Sequence, residues 1–200
     1  AVQFALERWD EAIGMFERSF ELEKSYYACA NLGTLYYMNG RFEDAVRMYE
    51  WAWEYDDSDY ITLGNLGSAN YWLPDKREHA VGLLRRAAAL AERQREETPN
   101  DPVLLALLGE YYSVDRGDTA VACAEKALAL APDNAEVALR AAHVYEQLGQ
   151  RAKALVLVGR ALELGYSAKE IDHDPQFREL RDDPRYRLLA DSAAPDGGDG

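Results

Sequence analysis

Residues Tyr26 to Asp59, YYACANLGTLYYMNGRFEDAVRMYEWAWEYDDSD, decide how the rest of the chain folds. Helical spacing puts Leu32, Gly33 and Tyr36 on one face of the first half. It puts Ala45, Tyr49 and Ala52, at steps of four and three, on one face of the second. Between them Asn39-Gly40 is a turn signal that ends one helix and lets the next double back. Gly33 and Ala45 are small where the two helices cross closely, and the tyrosines and leucine fill the space around the crossing. The stretch is a helical hairpin, and one hairpin cannot bury both of its apolar faces.

Its neighbours lie on either side. Asn65-Leu66-Gly67 repeats Asn31-Leu32-Gly33 at a spacing of 34, and Ala80, Leu84 and Ala87 take the roles of Ala45, Tyr49 and Ala52. A third copy runs through Leu108, Gly109 and Tyr112 to Ala120, Ala124, Ala127 and Pro132. A fourth runs through Ala141, Ala142, Tyr145 and Gly149 to Ala154, Val158 and Ala161. Upstream, Trp9, Ala12, Phe16 and Phe20 read as the second helix of a further hairpin. In the second copy Asn70 stands where the others have a tyrosine, unless Tyr71 takes that role. The third is one residue short between Tyr112 and Ala120.

The pattern resembles the tetratricopeptide repeat (TPR), whose helix-turn-helix unit of 34 residues carries these residue types at these offsets. The resemblance covers roughly residues 1 to 165 and implies an all-α fold, a right-handed α-solenoid of TPR hairpins. The expected order is a partial hairpin at 1–25, four hairpins at about 26–59, 60–98, 101–134 and 135–165, capping helices at 166–190 and a disordered tail at 191–200. GYSAKEIDHDPQFRELRDDPRYRLL, Gly165 to Leu189, is similar to the closing segment of TPR regions in bacterial serine/threonine kinases, nucleotide cyclases and winged-helix regulators. That second resemblance implies the non-catalytic, C-terminal part of a bacterial signalling protein. The chain opens in mid-hairpin without a basic-then-apolar leader, and it is expected to be a piece of a longer protein.

Particular segments carry their own signals. Leu73-Pro74-Asp75 makes the turn of the second hairpin, where Asp75 is suited to cap the next helix, expected from about Lys76 to Glu97. Thr98-Pro99 stops that helix, and Asp101-Pro102 opens the next with a capping residue and a first-turn proline. The same Asp-Pro device at 174–175 and 183–184 predicts two short helices, with Phe177, Leu180, Tyr186, Leu188 and Leu189 as their apolar faces.

Composition narrows the function. With 48% hydrophobic residues the chain can build a continuous core, and no run reaches the roughly 20 apolar residues of a membrane span. A net charge of −14 repels phosphate, which argues against nucleic acid and anionic membranes as partners. Cys29 and Cys123 read as buried free thiols, in keeping with a cytoplasmic setting.

No glycine-rich nucleotide loop and no nucleophile motif is present, so no enzymatic activity and no cofactor is expected. His143 and Glu146 have a spacing that metal sites use, but no second ligand pair accompanies them. In Asp172-His173-Asp174, capping accounts for Asp174 without a metal.

The expected function is therefore holding a protein or peptide segment in the concave face lined by the first helix of each hairpin. Candidates there are Tyr27, Asn31, Thr34 and Tyr37, then Asn65, Ser68 and Tyr71 or Trp72, then Glu110 and Ser113, then Arg140, His143 and Gln147. Asn31 and Asn65 carry amides that both donate and accept, suited to a peptide backbone. In TPR proteins that bind extended peptides asparagines at this place do that work. Tyr37 and Trp72 offer flat apolar surface beside them. TPR domains that clamp a chaperone's C-terminal carboxylate use lysine, asparagine and arginine where this chain has Ala30, Thr34, Val103 and Leu107. Only Arg140 is recovered by shifting the frame, so that activity is not expected. The alternative reading is structural, a homo-oligomer formed through the incomplete first hairpin.

Overall fold

The computed structural model describes residues 9–193, which divide into two compact units on either side of the Gln94–Arg95 bond. Expectations that rest on residues 1–8, and on the acidic tail beyond 193, lie outside the described residues. The fold is all-α. In the first unit α1 (Trp9–Leu22) precedes the hairpin of α2 (Tyr26–Met38) and α3 (Phe42–Tyr55). The next hairpin is α4 (Tyr60–Tyr71), a single 3-10 turn (Pro74–Lys76) and α5 (Arg77–Glu97).

Two glycines explain how these hairpins close. A Cβ on Gly33 would lie 2.7 Å from the ring of Tyr49, and one on Gly67 would lie 2.8 Å from Leu84 Cγ. Each glycine therefore lets the second helix of its hairpin press a large side chain onto the first. Tyr49 is fully enclosed, and its hydroxyl donates to Thr34 Oγ1 at 3.1 Å. Asn70 fills the buried site that tyrosine occupies elsewhere, its amide donating to Leu66 O at 2.8 Å, while Tyr71 stays half-exposed. Helix α1 joins the stack through Ala12 and Ile13, through Tyr36 Oη donating to Glu17 at 2.7 Å, and through Phe20 stacked on Trp51.

In the second unit α6 (Pro102–Tyr112) pairs with α7 (Gly117–Leu130), and α8 (Ala135–Gln147) pairs with α9 (Arg151–Glu163). The cap follows as α10 (Ala168–His173), 3-10 turns at Pro175–Phe177 and Leu180–Asp182, and α11 (Pro184–Ala193). Ile171, Phe177, Leu180 and Tyr186 are buried in one core with Ala154, Val158 and Ala161 of α9. Pro184 opens a helix as expected, but Pro175 opens only a 3-10 turn. Leu188 does not join the apolar face: it is 67% exposed, and Leu189 packs inward instead. Helix α11 runs to Ala193, past the boundary expected at 190.

The turns show how a one-residue deletion is absorbed. In the hairpins of α2–α3 and α8–α9, the N–H of the residue before the second helix reaches back to a tyrosine carbonyl. Arg41 N bonds Tyr36 O, and Gln150 N bonds Tyr145 O, both at 2.8 Å. Each loop needs a left-handed glycine, Gly40 at φ +72° and Gly149 at φ +71°. In the shorter third hairpin Arg116 N reaches Tyr112 O at 2.7 Å, one residue nearer and without a left-handed residue. Asp75 falls inside the 3-10 turn rather than capping α5.

Acidic and polar caps set the other helix starts. Asp59 accepts from Ile61 N and Thr62 N, Asp101 from Val103 N and Leu104 N, and Asn134 from Val137 N. Cys29 is fully buried, but Cys123 is only half-buried, which corrects the expectation of two enclosed thiols. No helix among the described residues is long and apolar enough to cross a membrane.

Candidate functional site

In the first unit the candidates sort by what their side chains already bind. Tyr37 is 8% exposed and accepts a hydrogen bond from Trp72 Nε1 at 3.2 Å. Phe42 lies edge-on to Tyr37 and stacks on Trp72 at 5.7 Å, and Tyr71 meets Trp72 edge-on and carries Arg77 over its ring at 4.4 Å. These aromatics bind the turns of neighbouring hairpins to each other. Tyr37 therefore offers a partner little surface, contrary to expectation. Thr34 is likewise engaged, donating to Ala30 O at 3.0 Å and accepting from Tyr49.

What remains lies along the neighbouring first helices α2 and α4, which Tyr26 ties together by donating to Asp59 at 2.6 Å and lying 3.3 Å from Thr62 Oγ1. Tyr27 is 75% exposed, and Ile61, its equivalent 34 residues on, is 48% exposed. One turn further along each helix come Asn31 and Asn65, both half-buried, and Ser68 is half-buried beyond Asn65. The Asn31 amide donates to Tyr27 O at 2.8 Å, which leaves its oxygen and second N–H as its remaining bonding capacity. Sequence reading missed Ile61, although the repeat spacing from Tyr27 pointed straight to it.

In the second unit Glu110, Arg140 and His143 come together, but with one another. Arg140 donates to Glu110 at 2.7 Å and to Glu136 at 2.9 Å. His143 Nδ1 lies 2.7 Å from the other Glu110 oxygen, and Nε2 lies 2.8 Å from Asp174 in the cap. Phe177 covers the imidazole at 4.3 Å between ring centres. Burial pushes the His143 pKa down, but Asp174 and then Glu110 outweigh it and raise it to about 9, so the ring is an imidazolium at neutral pH. Nearby, burial pushes the Glu170 carboxyl up although a hydrogen bond from Tyr166 opposes it.

His143 is thus enclosed and bonded at both nitrogens, which corrects its expected place among the residues open to a partner. Its spacing to Glu146 makes no metal pair, because Glu146 is bonded by Arg151. Ser113 donates back to Glu110 O at 2.7 Å, while Gln147 is exposed. The sequence contained no signal for Asp174 as the partner of a histidine on another helix, nor for Glu136. Among the described residues no group of three or more histidine, cysteine or acidic side chains could hold a metal ion.

Residues 28–57 match the tetratricopeptide repeat family. The crystal structure of TTC0263, a thermophilic TPR protein of Thermus thermophilus, superposes with a TM-score of 0.60 at 24% identity, covering 94% of this chain and 93% of that one. The fold is a TPR solenoid. The TPR protein YrrB, described as having an unusual peptide-binding site, is also similar at a TM-score of 0.45 and 19% identity, covering 86% of this chain and 87% of that one. MamA follows at 0.45 and 25%, with coverage of 78% and 88%. No curated protein matches the chain in sequence. The TPR match spans α2, the turn and α3, and so falls on the hairpin that carries Tyr27's neighbours and Asn31.

Proposed function

We propose that this chain is a non-catalytic TPR module that holds an extended segment of a protein partner along α2 and α4 of the first unit. TPR folds are protein-binding folds in general, and one observation narrows the reading here. Tyr27, whose ring meets Tyr26 edge-on at 5.3 Å, and Ile61 occupy equivalent places on neighbouring helices, and both stay exposed. An apolar side chain of the partner buries against that pair, and its backbone bonds the amides of Asn31 and Asn65 one turn further along. Affinity near micromolar, about −8 kcal/mol, is appropriate to so short a surface. The similarity of the cap to closing segments of bacterial signalling proteins supports a place in a larger signalling protein, and Cys29 and Cys123, which form no disulfide among the described residues, are in keeping with a cytoplasmic setting.

The test starts from peptides selected from a displayed random library on the intact chain. Each is titrated by fluorescence anisotropy against wild type, Tyr27→Ala with Ile61→Ser, and Asn31→Ala with Asn65→Ala. The expected result is at least a tenfold loss in both double variants, about 1.4 kcal/mol or more. Unchanged affinity in both would remove α2 and α4 as the binding surface. The second reading, self-association, has its own observation: Met15 and Leu22, two turns apart on α1, are 64% and 89% exposed. A sedimentation mass that falls on dilution in wild type and not in Leu22→Ser favours it.

A further inference from the structure

Where the α1–α2 connection meets the end of α3 there is a cavity of about 320 Å³ lined by Lys24, Cys29, Trp51, Glu54 and Tyr55. That is near the lower end of the roughly 300–1,000 Å³ of ligand pockets, room for one long side chain. Its aromatic wall extends to Phe20, which stacks on Trp51 at 4.8 Å with the rings 14° from parallel. The Lys24 ammonium lies over both rings, 4.5 Å from the centre of Trp51 and 5.4 Å from that of Phe20. Tyr55 fixes the backbone beneath it by donating to Lys24 O. Cys29, with no exposed surface, closes the floor.

Two features of this arrangement stand out chemically. The chain has 36 acidic residues against 22 basic ones, yet among the described residues the Lys24 ammonium makes no ion pair. It is held by ring faces, whose negative quadrupole attracts a cation. Glu54 meanwhile brings a carboxylate to the same cavity. The cavity therefore already displays how it binds a cation, and it holds one supplied by its own chain.

We propose that this cavity is a receptor for an arginine or lysine side chain of a protein partner, and that Lys24 is its internal stand-in. The partner's cation displaces the Lys24 ammonium into solvent, lies over Trp51 and Phe20, and gains the Glu54 carboxylate that Lys24 does not reach. A net charge of −14 steers basic segments toward the whole molecule, and this cavity gives one basic side chain a defined seat. The site shares no residue with Tyr27, Ile61, Asn31 or Asn65, so it stands or falls separately from that surface.

The probe is the capped tripeptide acetyl-Gly-Arg-Gly-amide, with acetyl-Gly-Gln-Gly-amide as its uncharged control, titrated into the intact chain while the Trp51 indole N–H is followed by NMR. The arginine peptide is expected to shift that resonance saturably and the glutamine peptide to leave it in place. Lys24→Ala, which removes the competing internal cation, is expected to tighten binding about threefold, and Glu54→Gln to weaken it about threefold. Both residues are exposed, and far-ultraviolet circular dichroism verifies that the variants fold. No shift with the arginine peptide, equal shifts with both peptides, or weaker binding in Lys24→Ala would each overturn the proposal.

Discussion

The Nε2 atom of His143 lies 2.8 Å from Asp174 Oδ2, so a single imidazole joins α8 to the cap while its other nitrogen holds Glu110 of α6. A residue expected to face a partner thus serves to fasten three elements. A charged ring with only 8% exposure depends on both carboxylates for its solvation.

This makes stability depend on pH in a definite direction. The folded-state value of about 9 stands above the roughly 6.5 of an exposed histidine, a difference of about 3 kcal/mol. Because the folded value is the higher one, the stabilisation is fully present below about pH 6.5 and is lost as pH rises through about 9. Urea denaturation at about pH 6 and about pH 10 is expected to show this fall in wild type and to show it much reduced in His143→Gln. The same pH slope in both proteins would remove His143 as its cause.

Gly33 and Gly82 should respond oppositely to alanine. At Gly33 the new methyl would meet the enclosed Tyr49 ring at 2.7 Å, and a ring held by Thr34 has nowhere to move. Gly33→Ala is expected to cost about 1–3 kcal/mol by overpacking. Gly82 lies exposed inside α5 with nothing within 4 Å of a Cβ, so Gly82→Ala should stabilise by about 0.5–1 kcal/mol. Thermal melts of the two variants decide it, and a stable Gly33→Ala would mean that the hairpin crossing has room for a methyl group.

Much of this fold was legible because a repeat writes the same contact several times. The small residue at Gly33 and Gly67 and the buried site at Tyr36, Asn70, Tyr112 and Tyr145 are set by local helix geometry and a fixed period. The functional face was less legible. Periodicity says which way Tyr37 and His143 point, but not what a neighbouring turn or a cap brings to meet them. Trp72 reaches Tyr37 across 35 residues and Asp174 reaches His143 across 31, and neither distance is a repeat period. Leu188 and Leu189 differ by one helical step of about 100°, which a short capping segment with little periodicity cannot resolve.

Asp59 does more than the acidic run around it. One carboxylate caps α4 at Ile61 N and Thr62 N, and it also receives the Tyr26 hydroxyl from the previous hairpin. Asp59→Ala is expected to cost about 1–2 kcal/mol, and less in a Tyr26→Phe background, where the bond between the two side chains is already absent. Asp57→Ala, at an exposed turn position, should stay within about 0.5 kcal/mol of wild type. A double-mutant cycle from urea midpoints measures the coupling, and strict additivity of Asp59 and Tyr26 would show that their contact contributes nothing.

The two thiols should differ in reactivity in the folded chain. Burial pushes the Cys29 thiol up, although Lys24 pulls the other way, and the side chain has no exposed surface. Cys123, on α7, is half-buried. Since the thiolate is the reactive form and must also be reached, Ellman's reagent is expected to modify Cys123 at least tenfold faster than Cys29 under native conditions. In denaturant the two rates should converge, because both barriers belong to the folded state. Peptide mass mapping after brief labelling distinguishes the sites. Native labelling of Cys29 at the rate of Cys123 would show that the floor beneath Trp51 opens readily.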